Sequence, residues 1–280
     1  MKLKLYIEYA GHNYSGWQKQ TGQSKVKTVQ GTLINAIQTV LKNSKANTEF
    51  KELYGAGRTD AGVHAIEQIA HLDCETMLAP EILKMKINDE LPSDINILEI
   101  EKAPKDFHAR HDAKSRQYLY VISKRRTAFE KRFVWWIKDS PDVKKMKEAA
   151  ELFIGMHDFK NFAEKTPSPT PLTPSPKERG SQLKEGNLST KCKVESLIIT
   201  EKGDKIFISI KASHFLWKMV RRIVGTLVEA GRGNVKAGEI NFLLDNKAPL
   251  LFKDKSKAAA LDPAKLTAPP SGLFLEKIYY

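Results

Sequence analysis

The sequence has few cysteines and no long apolar run, and each absence excludes a class of protein. Cys74 and Cys192 are the two cysteines among 280 residues, and neither a CxxC pair nor a zinc-ligand spacing occurs. A disulfide-stabilised secreted domain is therefore excluded, and a reducing cytoplasm is the expected location. No segment approaches the roughly 18 apolar residues of a membrane span. The start, MKLKLYIEYA, lacks the apolar core of a signal peptide.

Acidic residues are scarce relative to basic ones. The chain has 46 lysines and arginines against 33 aspartates and glutamates, which gives a formal net charge of +13. A soluble protein this basic most often binds a polyanion, and nucleic acid is the commonest one. Hydrophobic residues make up 41% and charged residues 28%. These proportions are typical of a globular chain, and the length suits one large domain or two ordinary ones.

Hydrophobic periodicity predicts two comparable halves that each mix strands with helices. Alternating apolar residues predict strands, and apolar residues three or four apart predict helices. The first half is expected to hold strands at 2–9, 68–73 and 95–102 and helices at 28–43 and 79–91. The second half is expected to hold strands at 116–123, 192–200, 205–212 and 272–280 and helices at 140–155 and 215–231.

This pattern favours an α+β fold over a doubly wound parallel sheet, because neighbouring strands are often joined as hairpins. The boundary between the halves is predicted to divide the chain into an N-terminal part, 1–104, and a C-terminal part, 105–280. Thr28 is expected to cap the helix at 28–43. Within the second part, Ser140 is expected to cap the helix that follows it, with Pro141 in the first helical position.

One segment, 164–189, departs from both patterns. It carries five prolines among serines and threonines. Proline fixes φ and has no backbone N–H to donate, so this segment cannot pair inside a sheet or continue a helix. We expect a flexible insertion there, which acts as a spacer or as a docking segment.

The stretch YGAGRTDAGVHA, residues 54–65, holds one carboxylate, Asp60, in a glycine-rich loop. Its glycines match neither of the common nucleotide-binding spacings. The order H-x-x-E-x-x-x-H that starts at His64 is not a known zinc spacing either. From the residues alone Asp60 has two interpretations, an aspartate that stabilises a turn or a helix start, and a catalytic carboxylate on an exposed loop.

Within that stretch, GRTDAGVHA resembles the active-site motif of the tRNA pseudouridine synthase A family. Further blocks follow the family's order over nearly the full length: GHNYSGWQKQ, TVQGTL, LPSDINI, FHARHDAKSRQYLYVI, GMHDFKNF, FLWKMVRRIVGTLVEAGRG and TAPPSGLFLEKIYY. The resemblance implies a pseudouridine synthase-type fold, in which two similar sheet-and-helix halves flank an active-site cleft.

The resemblance also implies a reaction. Members of the family isomerise uridine to pseudouridine at positions 38, 39 and 40 of the tRNA anticodon arm, as homodimers without a metal or cofactor. The N1–C1′ bond breaks, the uracil turns, and C5 joins C1′, so no redox change occurs and no water is consumed. Asp60 is then the catalytic aspartate, and attack at C1′, addition at C6 and removal of the 2′ proton are all compatible with a carboxylate.

Five more residues receive roles from the resemblance. Arg221 is expected beside the carboxylate, where a cation favours the charged form. Tyr118 is expected to stack on the extruded uracil and relay a proton, and Leu273 to pack against the base. Arg58 is expected to enter the space that the flipped nucleotide leaves, and His64 to contact the substrate as well.

Basic residues outside this set are expected to hold the tRNA backbone. The candidates are Lys19, Arg110, Arg116, Arg125, Arg126, Lys218 and Arg222. For Lys218 and Arg222 a solvated basic stripe on a helix is the alternative. Lys19 stands where the family often has arginine, and a lysine keeps the charge but lacks the planar fork of a bidentate phosphate contact. The competing function is a catalytically silent tRNA-binding module or RNA chaperone, which needs none of the catalytic residues.

Overall fold

The computed structural model describes the protein in five ranges: 1–20, 26–44, 48–164, 189–245 and 261–280. The predicted insertion lies outside these ranges except for its first and last residues. No helix within them is long and apolar enough to cross a membrane.

The described ranges contain ten strands and five α-helices, which confirms the predicted α+β class. The strands are β1 Lys2–Tyr9, β2 Glu49–Gly55, β3 His64–Glu75, β4 Ile95–Lys102, β5 Ser115–Ser123, β6 Trp135–Trp136, β7 Gly155–Asp158, β8 Lys191–Lys202, β9 Lys205–Ala212 and β10 Leu273–Tyr279. The helices are α1 Val29–Asn43, α2 Pro80–Glu90, α3 Val143–Glu151, α4 Met219–Gly231 and α5 Ala237–Leu244.

All ten strands belong to one mixed sheet. Its order is β4-β1-β3-β10-β5-β9-β8-β7, with β2 also paired to β3 and β6 also paired to β5. The last strand, β10, is parallel to β3 and antiparallel to β5. It therefore joins the strands of the first part to those of the second. The division between residues 104 and 105 stays a prediction.

Two hydrophobic clusters hold the helices to the sheet. In the first, the buried alternate residues of β1 pack with Leu33 and Ile37 of α1 and with Leu83 of α2. In the second, the apolar face of α4, including Ile223 and Leu227, packs with α3 and with the hairpin β8–β9. Burying each such Leu or Ile side chain contributes roughly 1.5–3 kcal/mol relative to leaving it exposed.

Helix starts depend on caps, and the structure confirms one predicted cap and corrects another. The Thr28 hydroxyl accepts a hydrogen bond from the Gly31 N–H at 3.2 Å, as expected for α1. Helix α3 instead begins after Asp142, whose Oδ1 accepts from the N–H groups of Lys144 and Lys145. Asp142 carries a negative charge that also suits the helix dipole, so it displaces Ser140 as the cap.

Three other expectations about element bounds were wrong. Gly155 does not end α3. It begins β7, with a φ of +111°. Helix α4 begins at Met219 rather than at residue 215, because Lys218 is left-handed with a φ of 60°. Strand β3 runs for 12 residues rather than six, because pairing to both β1 and β2 extends it.

The cap of α3 can be tested by two substitutions two residues apart. We expect Asp142→Ala to lower the free energy of unfolding by about 1 kcal/mol, because two N–H groups lose their acceptor. The matched change Ser140→Ala should stay within about 0.5 kcal/mol of the native protein. Urea denaturation followed by circular dichroism measures both. A larger loss from Ser140→Ala than from Asp142→Ala would contradict the assignment.

Candidate active site

The loop that carries Asp60 connects β2 to β3 and is held by three hydrogen bonds, two of them to residues outside the loop. The Thr59 hydroxyl and the Tyr9 hydroxyl share a buried hydrogen bond of 2.7 Å. The Thr59 carbonyl accepts from the Trp17 N–H at 3.1 Å, and the Asp60 carbonyl accepts from the Val63 N–H at 3.1 Å. These bonds fix the backbone on both sides of Asp60, so its carboxylate projects from a rigid turn.

The loop glycines serve packing as well as turning. Gly62 has a φ of +78°, a left-handed conformation that side chains rarely adopt. A Cβ on Gly55 would lie 2.6 Å from the Trp17 indole ring, so this glycine makes room for a buried tryptophan and not for a ligand. Gly57 faces open space and leaves room for another molecule to approach the loop.

The Asp60 carboxylate contacts two donors, Trp217 in the turn before α4 and Arg221 in the first turn of α4. Its Oδ2 lies 3.5 Å from Nη1 of Arg221, and its Oδ1 accepts a hydrogen bond of 2.9 Å from the indole Nε1–H of Trp217. The Arg221 guanidinium is itself fixed by a bond from Nε to the Ala268 carbonyl at 2.6 Å. The Asp60 side chain remains 25% exposed, so the paired carboxylate can still be reached from solvent.

Tyr118 lies on β5, near enough to Asp60 for the charge of the carboxylate to act on its phenol. Its ring is partly buried and packs edge-on against Phe215, with the ring centroids 5.0 Å apart. Burial, and secondly the negative charge of Asp60, raise the pKa of the Tyr118 phenol above its ordinary value. The phenol is therefore protonated at neutral pH and can act as a hydrogen-bond donor.

His64 and Leu273 are both buried. The His64 ring is 1% exposed and stacks on Phe274. Its Nδ1 accepts from the Gly11 N–H at 3.0 Å, and its Nε2 lies 2.9 Å from the Arg132 carbonyl. Both ring nitrogens are thus engaged within the protein. Leu273, at the start of β10, is 5% exposed and belongs to the larger core cluster.

Two of the predicted backbone-binding arginines hold the protein together instead. The Arg116 guanidinium donates to four carbonyls, those of residues 56, 110, 113 and 213. Arg222 is 5% exposed and donates to the Ala163 carbonyl and to the Glu164 carboxylate. A side chain that is tied down in this way is not available to phosphate, so neither the solvated stripe nor RNA contact describes Arg222.

The remaining predicted basic residues are more accessible. Lys218 pairs with Glu164 at 3.3 Å, and Arg125 pairs with Asp204 at 2.8 Å. The Arg126 guanidinium lies 5.9 Å from the ring centre of Trp136. Lys19, Arg58 and Arg110 are exposed, and so are Arg125 and Arg126. Arg58 forms no ion pair or side-chain hydrogen bond with any residue that the structure describes.

Trp217 is the one residue at the carboxylate that sequence reasoning missed. It lies four positions before Arg221 in FLWKMVRR, so helical spacing would have put both on one face. Residue 217, however, precedes the helix, and the left-handed Lys218 separates it from α4. Spacing alone therefore gave no reliable indication of where the indole lies.

Comparison with known proteins gives consistent matches along nearly the whole chain. The family model described as tRNA pseudouridine synthase matches residues 5–112 and 149–280, which include Asp60 and Arg221 but not Tyr118. The chain is 35% identical over 281 residues to tRNA pseudouridine synthase A 2 of Clostridium perfringens (strain 13 / Type A), covering 99% of each protein.

Of two further matches, one is a similar full-length relative and the other is only a distant structural match. The chain is 36% identical over 280 residues to tRNA pseudouridine synthase A of Thermoanaerobacter sp. (strain X514), again covering 99% of each. A crystal structure of a Cbf5-Nop10-Gar1 complex matches with a TM-score of 0.30 and 9% identity, over 80% of this chain and 53% of that one. That similarity is too low to define the fold.

The hydrogen bonds of Arg116 predict that its substitution destabilises the protein far more than substitution of Arg58. Arg116→Leu should lower the free energy of unfolding by about 2–4 kcal/mol, because four carbonyls lose a charged donor. Arg58→Ala should change it by less than about 0.5 kcal/mol, because that side chain is exposed and unpaired within the described structure. Chemical denaturation of the two variants measures this, and equal losses would contradict a structural role for Arg116.

The burial of the His64 ring predicts that the free energy of unfolding depends on pH. Burial lowers the pKa of His64 from 6.5 to about 4, and protonation of Nδ1 would break the bond from Gly11. The stability that the neutral ring provides is complete above pH 6.5 and is lost as the pH falls towards 4. The loss reaches about 3 kcal/mol. His64→Asn should flatten the curve of unfolding free energy over this interval. An unchanged slope in the variant would contradict the assignment.

Proposed function

Because the chain belongs to the tRNA pseudouridine synthase family, we propose that it isomerises uridine to pseudouridine at positions 38, 39 and 40 of the tRNA anticodon arm. One observation carries the proposal. The Asp60 carboxylate is fixed by a guanidinium and an indole N–H, yet it stays a quarter exposed on a rigid loop. This arrangement suits a group that reacts with an extruded nucleoside.

The chemistry requires one group that can act and then be restored. The N1–C1′ bond of the uridine breaks, the C5–C1′ bond forms, and the proton that leaves C5 is balanced by the one that N1 gains. Asp60 can act by attack at C1′, by addition at C6 or by removing the 2′ proton. Under each route Arg221 balances the negative charge of the carboxylate, and its bond to Ala268 prevents it from following the substrate.

Tyr118 and Arg58 have complementary parts in this proposal. The Tyr118 phenol is protonated and close to Asp60, so it can support the uracil ring and pass on the C5 proton. Arg58 is exposed and unpaired within the described structure, so its guanidinium is free to enter the stack when the target base leaves. His64 and Leu273 are assigned to the wall behind the loop, because both are buried.

Exposed basic side chains supply the contacts to the tRNA backbone. We assign this role to Lys19, Arg110 and Arg126, with Arg125 and Lys218 taking part if phosphate displaces their carboxylate partners. Such contacts fix the position of the RNA without reading its sequence, and they make affinity fall steeply with salt. A homodimer in the cytoplasm completes the proposal, because one tRNA can then span both subunits.

The test is conversion of an unmodified tRNA transcript, with pseudouridine mapped by position. Asp60→Asn should reduce the rate by at least about 1,000-fold, because the variant cannot accept a proton or attack carbon. Its dissociation constant for tRNA should stay within about threefold of the native value. Asp106→Asn, a change at another exposed loop aspartate, is the matched control and should leave the rate unaltered.

Further measurements test the role of Arg221, the target positions and the reaction separately. Arg221→Ala should lower kcat by roughly 10- to 100-fold while changing tRNA affinity much less. Product outside positions 38–40 would refute the site assignment but leave the reaction in place. Tight binding of tRNA with no product from the native protein would support the alternative, a catalytically silent RNA-binding module.

A further inference from the structure

We propose that Trp217 is a positioning residue that holds the Asp60 carboxylate in its reactive orientation. The inference rests on the proposed function, in which Asp60 is the reacting group. Trp217 donates from Nε1 to Oδ1 at 2.9 Å, while Arg221 faces Oδ2 at 3.5 Å. With one donor on each oxygen, rotation of the carboxylate about its Cβ–Cγ bond breaks both contacts. The lone pairs of Asp60 therefore keep a fixed direction.

The turn that presents Trp217 is held by a second set of contacts. Lys218 is the only non-glycine residue with a positive φ among those the structure describes. The Trp217 carbonyl accepts from the Glu164 N–H at 2.9 Å, and the Glu164 carboxylate pairs with both Lys218 and Arg222. A backbone conformation of this kind costs energy and persists only where surrounding contacts enforce it. Here the contacts of Glu164 hold the turn at Lys218, and this turn places the Trp217 indole beside the Asp60 carboxylate.

The exposure of the indole argues against a purely packing role. Trp217 is 42% exposed, whereas a core tryptophan of this protein, Trp17, is 1% exposed. The hydrogen bond to a carboxylate is charge-assisted and therefore stronger than a bond between neutral groups. An indole N–H is a donor only and does not titrate. The contact therefore restrains the carboxylate without competing for its proton, which a histidine or lysine at this position would do.

A stacking platform for an RNA base is the other use of an exposed indole, and the two uses respond differently to substitution. Phenylalanine keeps an aromatic face and loses the N–H. If Trp217 positions Asp60, Trp217→Phe lowers kcat by roughly 10- to 100-fold and leaves KM for tRNA within about threefold. If Trp217 only stacks, Trp217→Phe keeps the native kcat and KM, and Trp217→Ala raises KM.

The matched control is Trp136→Phe. Trp136 is 43% exposed and makes no contact with Asp60, so the same change there should leave kcat unaltered. Steady-state assays on the unmodified tRNA transcript give kcat and KM for each variant, with thermal unfolding as a check on the fold. Native kcat in Trp217→Phe, or an equal fall in Trp136→Phe, would overturn the proposal.

A spectroscopic measurement tests the contact independently of catalysis. Asp60→Ala should shift the tryptophan emission of the native protein, because the indole loses a charged acceptor, and should leave the emission of Trp217→Phe unchanged. An equal shift in both backgrounds would overturn the contact. Activity in Asp60→Asn would refute the proposed function itself, whereas an inactive Asp60→Asn with a fully active Trp217→Phe would refute only the role of Trp217.

Discussion

The site depends on one interaction, the contact of Trp217 and Arg221 with the Asp60 carboxylate. The two sequence segments are 157 residues apart at the Trp217 hydrogen bond. Strand β10 lies between β3, which follows the Asp60 loop, and β5, which carries Tyr118, and it joins the two parts of the chain in one sheet. Strand β10 is thus an internal strand of the sheet that connects its two parts, and the site forms only when both parts have folded together.

The positive charge of the protein divides between two tasks. Arg222 is buried and Arg116 is half-buried, and their guanidinium groups donate to backbone carbonyls and, from Arg222, to a carboxylate. Arg116 also links the loop before Asp60 to the segment after β9, through the carbonyls of Ala56 and Ser213. The formal net charge of +13 therefore overstates the positive charge that is available to RNA. Among the predicted RNA contacts, Lys19, Arg110, Arg125 and Arg126 are exposed and lie on loops, where long side chains can adapt to a phosphate backbone.

Much of the fold was predictable because burial leaves a periodic trace. The alternation of β1, the apolar face of α1 with its Thr28 cap, and the hairpin β8–β9 were all expected from the residues. Strand β2 was not predicted, because EFKELYG buries only two of its seven residues and so lacks a clear alternation. The start of α4 was misplaced, because apolar spacing continues through Phe215 and Leu216 although the backbone there is not helical.

The sequence by itself determined the α+β class, the family and the pair of Asp60 with Arg221, since motifs in order and hydrophobic period are local properties of the chain. Tertiary structure alone decided which polar side chains are free. His64 and Arg116 were predicted to contact RNA, yet His64 is buried and Arg116 is bound to four carbonyls. Trp217 received no role from the sequence and lies at the carboxylate. The physical reason is that a hydrogen-bond partner or a solvent path depends on strands far away in sequence.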